Sequence, residues 1–179
     1  MIEDKVFKVF MLEDQPTDQE LVKRQALKFN DKCIFMTANN KASFYEKIDV
    51  FQPDIILSDY SLPDILGTRA LEYVKEHLPD VPFIFVTGAV DNDQEVAEIV
   101  FQGADGFLLK KHLSKLPTVM EDVIIKNDHR VKSARDAAEK TRKLKIKVLK
   151  LSEKLNALNL PKDSHQEIHD LIHELNSIV

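Results

Sequence analysis

Five polar residues stand directly after short apolar runs. Glu13 and Asp14 follow Val6–Leu12, Asp59 closes DIILSD, Thr87 closes FIFVT, and Lys110 follows Phe107–Leu109. Strand ends are commonly polar, so each of these alone reads as a solvated loop residue. Their joint occurrence at four strand ends points to one shared site. Three clustered carboxylates repel one another and favour a hard divalent cation; oxygen ligands with room for water suit Mg²⁺. With Mg²⁺, a lysine can hold a phosphoryl group and neutralise charge that develops during its transfer. An aspartate can itself accept the group as an aspartyl phosphate. Neither a P-loop nor a GxGxxG fingerprint occurs, which disfavours nucleotide binding.

The elements that would position these residues alternate. Apolar runs at Val6–Leu12, Cys33–Ala38, Asp54–Asp59, Phe83–Thr87 and Phe107–Leu109 read as strands. Between them lie helical patterns: one opening at Thr17 with Glu20 as a capping box, one capped by Asn39 or Asn40, Gly67–His77, and Gln94–Gln102. The runs at 54–58 and 83–86 are apolar at nearly every position, as in strands buried on both faces. The pattern predicts an α/β fold with a parallel sheet covered by helices on both sides. Chemistry in such sheets sits at the carboxyl ends of the strands. Cys33, inside a strand, reads as a small buried hydrophobe rather than a redox site.

Residues 5–125 resemble the receiver domain of two-component response regulators. The likeness is carried by Glu13–Asp14, by Ser58-Asp59-Tyr60-Ser61-Leu62-Pro63 followed by Gly67, by Val86-Thr87-Gly88-Ala89, and by Gly103-Ala104-Asp105-Gly106-Phe107-Leu108-Leu109-Lys110, in order. It implies a doubly wound, flavodoxin-like, five-stranded parallel sheet in order 2-1-3-4-5. It implies Asp59 as phosphoacceptor, and Glu13, Asp14, Asp59 and the Ser61 backbone carbonyl as Mg²⁺ ligands. Thr87 and Lys110 would contact the phosphoryl group, Phe107 would be the switch aromatic, and Gly88 would leave access to the donor. The family usually has proline, often cis, after the lysine; Lys111 stands there instead. A non-proline cis bond costs about 3 kcal/mol, so a trans bond or a different loop is expected.

Composition sets the remaining bounds. The chain has 179 residues, 44% apolar and 31% charged, enough for a real core. Its one cysteine excludes an intramolecular disulfide. No apolar run approaches the roughly 20 residues of a membrane span, and the acidic start does not resemble a signal peptide. A soluble, cytoplasmic protein is expected. The four glycines, Gly67, Gly88, Gly103 and Gly106, all precede residue 107, so the rest of the chain should be mostly helix. Charge is uneven: 13 basic against 22 acidic residues in 1–125, 10 against 3 in 126–150, and 2 against 5 in 151–179.

From Thr118 to Asn159 nothing interrupts a helix, so the fifth helix of the receiver should continue over 126–160. Ala134, Ala137, Thr141, Leu144, Val148, Leu151, Leu155 and Leu158 follow a 4-3 repeat, a candidate coiled coil and a route to a homodimer. Lys140, Lys145, Lys147 and Lys154 flank that seam and weaken a simple parallel pair. Residues 161–179 read as a short amphipathic helix with Ile168, Leu171, Ile172, Leu175 and Ile178 on one face. It is acidic, and folding back on the basic helix would make a hairpin. His165, His169 and His173 are spaced four apart, but without HExxH they read as a solvated flank rather than a metal site. His173-Glu174-Leu175-Asn176 also resembles the H-box of histidine kinases, a second candidate phosphosite. Basic residues interleaved with heptads in an acidic chain make nucleic-acid binding a weak reading.

The expected organisation is a receiver at 1–125, the extended helix, and the short terminal helix. The expected function is a response regulator that takes a phosphoryl group on Asp59 from a histidine kinase or phosphotransfer protein. It would then signal through protein–protein contact to a downstream partner. It is not expected to be an enzyme beyond its own phosphorylation and dephosphorylation. Competing readings are a kinase-like phosphorelay protein, a non-phosphorylated receiver-fold scaffold, and a haloacid-dehalogenase-like phosphatase. The last wants DxD after the first strand, whereas here the candidate acceptor follows the third and its second neighbour is Ser61.

Overall fold

A computed structural model describes residues 6–88 and 102–156, with 152, 155 and 156 described by backbone alone. The strands are β1 (Phe7–Leu12), β2 (Cys33–Ala38), β3 (Ile55–Ser58), β4 (Phe83–Thr87) and β5 (Gly106–Leu109). All pair in parallel, in the order β2-β1-β3-β4-β5. This is the expected flavodoxin-like topology, with the strand ranges shifted by at most a residue or so. The helices are α1 (Pro16–Phe29), α2 (Lys41–Phe51), α3 (Gly67–His77) and, among the described residues, a last helix α4 (Leu116–Asn156). The helix expected at Gln94–Gln102 lies, up to residue 101, outside the described residues, as do Ala89 and everything from 157 on.

Alternation along the strands sorts the core into two layers. Val9, Met11, Ile55, Leu57, Ile84 and Val86 pack with Val22 and Ala26 of α1 and with Leu116, Met120, Val123 and Ile124 of α4. Phe10, Leu12, Ile56, Phe83 and Phe85 pack with Phe44 and Ile48 of α2 and Ala70, Leu71 and Val74 of α3. Strands apolar at every position are therefore buried on both faces. Cys33 belongs to the first layer, and burial pushes its thiol up to about 11, so it is an inert hydrophobe at neutral pH.

Local chemistry sets the helix starts. At α2, Asn40 and Ser43 form a reciprocal capping box, one of the two caps expected. At α1 the expectation fails: the N-cap is Gln15, without a side-chain cap bond, and not Thr17. The cause is Pro16, whose fixed φ and missing N–H suit the first helical position, so the helix begins before Thr17. Gly67 opens α3 against the end of β3. A Cβ there would lie 2.6 Å from the Asp59 carbonyl oxygen and 2.6 Å from the Phe85 ring. No side chain fits without moving backbone, so glycine lets α3 start under the β3 terminus.

After β5 the chain enters a 3₁₀ turn, Lys110–Lys115, and no cis peptide bond occurs among the described residues. The trans geometry expected at Lys111 is what is found. The chain divides into two units, 1–128 and 129–179. In the second, Leu144, Ile146, Leu149 and Leu151 are exposed apolar residues. No helix among the described residues is long and apolar enough to cross a membrane.

Candidate functional site

The parallel sheet brings the ends of β1, β3, β4 and β5 to one edge, where a pocket of about 480 Å³ opens. Asp14, Asp18, Asp59, Ser61, Thr87, Gly88 and Lys110 are among its lining residues. Lys110 Nζ lies 2.7 Å from Glu13 Oε2, 2.6 Å from Asp18 Oδ2 and 2.7 Å from Asp59 Oδ2. One ammonium with three donors thus serves three carboxylates.

Each carboxylate is fixed differently. The other oxygen of Asp59, Oδ1, accepts the Tyr60 N–H at 2.6 Å and, more weakly, the Ser61 N–H at 3.4 Å. The Asp59 N–H donates to the Leu12 carbonyl at 2.8 Å, tying its backbone to β1. Glu13 is 4% exposed, and its Oε1 accepts the Gln15 N–H at 3.1 Å. Burial pushes the Glu13 carboxyl above its ordinary pKa, although the hydrogen bonds from Lys110 and Gln15 pull the other way. Asp14 is turned toward Gln15, whose Nε2 donates to Asp14 Oδ2 at 2.8 Å. For Lys110, burial alone would lower the pKa; the hydrogen bonds to Asp18, Asp59 and Glu13 outweigh it, and the ammonium is held above the ordinary lysine value.

Thr87 is buried at the end of β4 and lines the pocket, next to exposed Gly88. A Cβ at Gly88 would meet only Lys110 Cδ, at 3.9 Å, so this wall is open. Phe107 pairs in register with Phe85 and packs, partly buried, against the layer beneath α2 and α3; it is not among the pocket-lining residues. His165, His169 and His173 lie outside the described residues. Asp18 is the residue that sequence reasoning missed. The available signal was an acid in the first turn of the helix that leaves the β1 end.

The donor set fits Mg²⁺ in kind: Asp14, Asp59 and Ser61 give one pocket hard oxygen ligands. Among the described residues, no three His, Cys, Asp or Glu side chains are already gathered as a metal site. Glu13, Asp18 and Asp59 do converge, but on Lys110 Nζ, at 2.6–2.7 Å rather than the roughly 2.1 Å of Mg–O bonds.

The family model for the response regulator receiver domain matches residues 9–123. The chain belongs to this family. Among curated relatives, the regulatory protein LuxO of Vibrio cholerae is 43% identical over 67 residues, covering 36% of this chain and 14% of that protein. The transcriptional regulatory protein YdfI of Bacillus subtilis is 36% identical over 98 residues, covering 52% of this chain and 45% of that protein. This receiver chain thus spans less than half the length of these relatives. In structure, it resembles a CheY-like receiver domain from Methanospirillum hungatei, with TM-score 0.62, 19% identity and coverage of 70% of this chain and 99% of the other. The signal receiver domain of a LuxO repressor protein from Vibrio parahaemolyticus gives TM-score 0.63 at 18% identity, covering 72% and 98%. These likenesses place the chain in two-component response regulation and its fold among receivers.

Glu13 generates a pH signature. Its pKa is raised in the folded state, so above the ordinary carboxylate value the folded protein holds the extra proton. Stability therefore falls as pH rises from about 4.5 through the Glu13 pKa. Urea unfolding across that window should show this negative contribution in the wild type and its loss in Glu13→Gln. Identical slopes would contradict it.

Proposed function

We propose that Asp59 is the phosphoacceptor of a response regulator and that Lys110 and Thr87 receive the phosphoryl group. The observation that carries this reading is the bond between Lys110 Nζ and Asp59 Oδ2 at the mouth of an oxygen-rich pocket at the strand ends. An Asp59 carboxylate oxygen attacks phosphorus of a phosphohistidine or small acyl phosphate. The new O–P bond forms as the P–N or P–O bond to the donor breaks, and the electron pair leaves with the donor. The product is an acyl phosphate on Asp59.

Glu13, Asp14, Asp59 and the Ser61 carbonyl would hold Mg²⁺. When bound, the ion supplies positive charge against the developing negative charge on the phosphoryl oxygens. Lys110 supplies the second cation from this chain. The Tyr60 N–H fixes the acceptor carboxylate, and open Gly88 admits the donor. Thr87 would donate its hydroxyl to the phosphoryl group, and Phe107 would move with it as the switch. Its partners would be a histidine kinase or phosphotransfer protein and a downstream protein, in the cytoplasm. The receiver would occupy 1–125.

Full-length chain incubated with Mg²⁺ and acetyl phosphate should gain one adduct of about 80 Da by intact mass, absent in Asp59→Asn. An adduct retained by that variant, or none in either, would contradict the assignment.

The exposed Leu144 and Leu151, seven residues apart on the 4-3 repeat, favour a self-paired helix as the output element. Sedimentation equilibrium should then show a dimer that weakens at least tenfold in Leu144→Glu. A monomer throughout the micromolar range would overturn this part.

A further inference from the structure

We propose that Asp18 is a built-in competitor for Lys110 that weakens the hold of the site on a phosphoryl group, an inference that rests on the reading of Asp59 as acceptor. An ammonium has three N–H donors, and here they are spent on Glu13, Asp18 and Asp59. A phosphoryl group on Asp59 brings additional acceptor oxygens and negative charge to the same place. The N–H now on Asp59 can pass to one phosphoryl oxygen; for Lys110 to give the group a second bond, Glu13 or Asp18 must be given up.

The three partners are not equivalent. The Glu13 side chain is 5% exposed, and releasing it would leave a buried carboxylate without its cation. Asp59 carries the incoming group. The Asp18 side chain is 31% exposed, stands on the first turn of α1 and faces the pocket, so water can replace Lys110 around it. Asp18 is therefore the partner that yields. Its carboxylate also lies within reach of the incoming charge, and like charges in one pocket repel. Both effects act in the same direction: Asp18 competes with a phosphoryl group for the Lys110 N–H donors, and its own charge repels that group. Asp18 would thus set the resting bias of the site toward the unphosphorylated form.

The test titrates beryllofluoride, a mimic of the phosphoryl group, into full-length protein in saturating Mg²⁺ by calorimetry. Asp18→Asn should bind it about three- to thirty-fold more tightly than wild type, the range for losing a partly exposed charge-assisted bond. Asp18→Ala should behave alike, and Asp18→Glu, which restores a carboxylate, should return toward wild-type affinity. A purely structural role would not give this pattern of gain and rescue. Mg²⁺ alone is titrated in parallel and should change less than about threefold. Unchanged or weaker beryllofluoride binding in Asp18→Asn would overturn the inference. So would a tenfold or larger loss of Mg²⁺ affinity, which would make Asp18 a metal ligand. If wild type neither binds beryllofluoride nor gains the adduct, the acceptor assignment fails first and this inference with it. Normal wild-type binding with an indifferent Asp18→Asn sinks the inference alone.

Discussion

A single ammonium holds the carboxyl edge of this sheet together. Lys110, at the end of β5, pairs with Glu13 from β1, Asp18 from α1 and Asp59 from β3, all within 2.7 Å. Three carboxylates so close would otherwise repel one another and push chain segments apart. Burial alone would weaken the lysine charge, yet the three bonds more than offset it. The site is thus a packed ion cluster in which three carboxylates share one cation, a donor set of the kind that suits a divalent cation. The fold serves this arrangement: parallel strands align their carboxyl ends, and Gly67 lets α3 begin against the Asp59 backbone.

Much of this is legible in the sequence, for a physical reason. Strands buried on both faces must be apolar throughout, so β3 and β4 announce themselves, and the polar residue closing each run marks the carboxyl edge of the sheet. Asp59, Thr87 and Lys110 follow from that logic. Asp18 does not. Its meeting with Lys110 spans 92 positions and depends on how α1 docks, which helical periodicity does not encode. At the start of α1, Thr17 and Glu20 resemble a capping box, but the local backbone preference of Pro16 decides the boundary. Gln15 has no distinguishing sequence signal, yet it braces both Glu13 and Asp14.

The helical extension obeys a different physics. Within the first unit α4 is anchored by Leu116, Met120, Val123 and Ile124, and by Asn127, whose Nδ2 donates to the Asp80 carbonyl at 2.8 Å. Beyond His129, Leu144, Ile146, Leu149 and Leu151 are exposed between lysines and arginines, with Val131 and Val148 half-buried. Helix propensity and repeat spacing define such a segment, and they do not bury its apolar residues.

Four carboxylates stand in or beside this pocket: Glu13, Asp14, Asp18 and Asp59. Asp59 stands apart, because Lys110 and the Tyr60 N–H grip its two oxygens at the open end of the site. The most direct test is to phosphorylate the protein with acetyl phosphate, reduce the acyl phosphate with borohydride, and sequence the peptides by tandem mass spectrometry. Homoserine at position 59 is the predicted result. Reduction at Glu13, Asp14 or Asp18, or at no carboxylate, would contradict it.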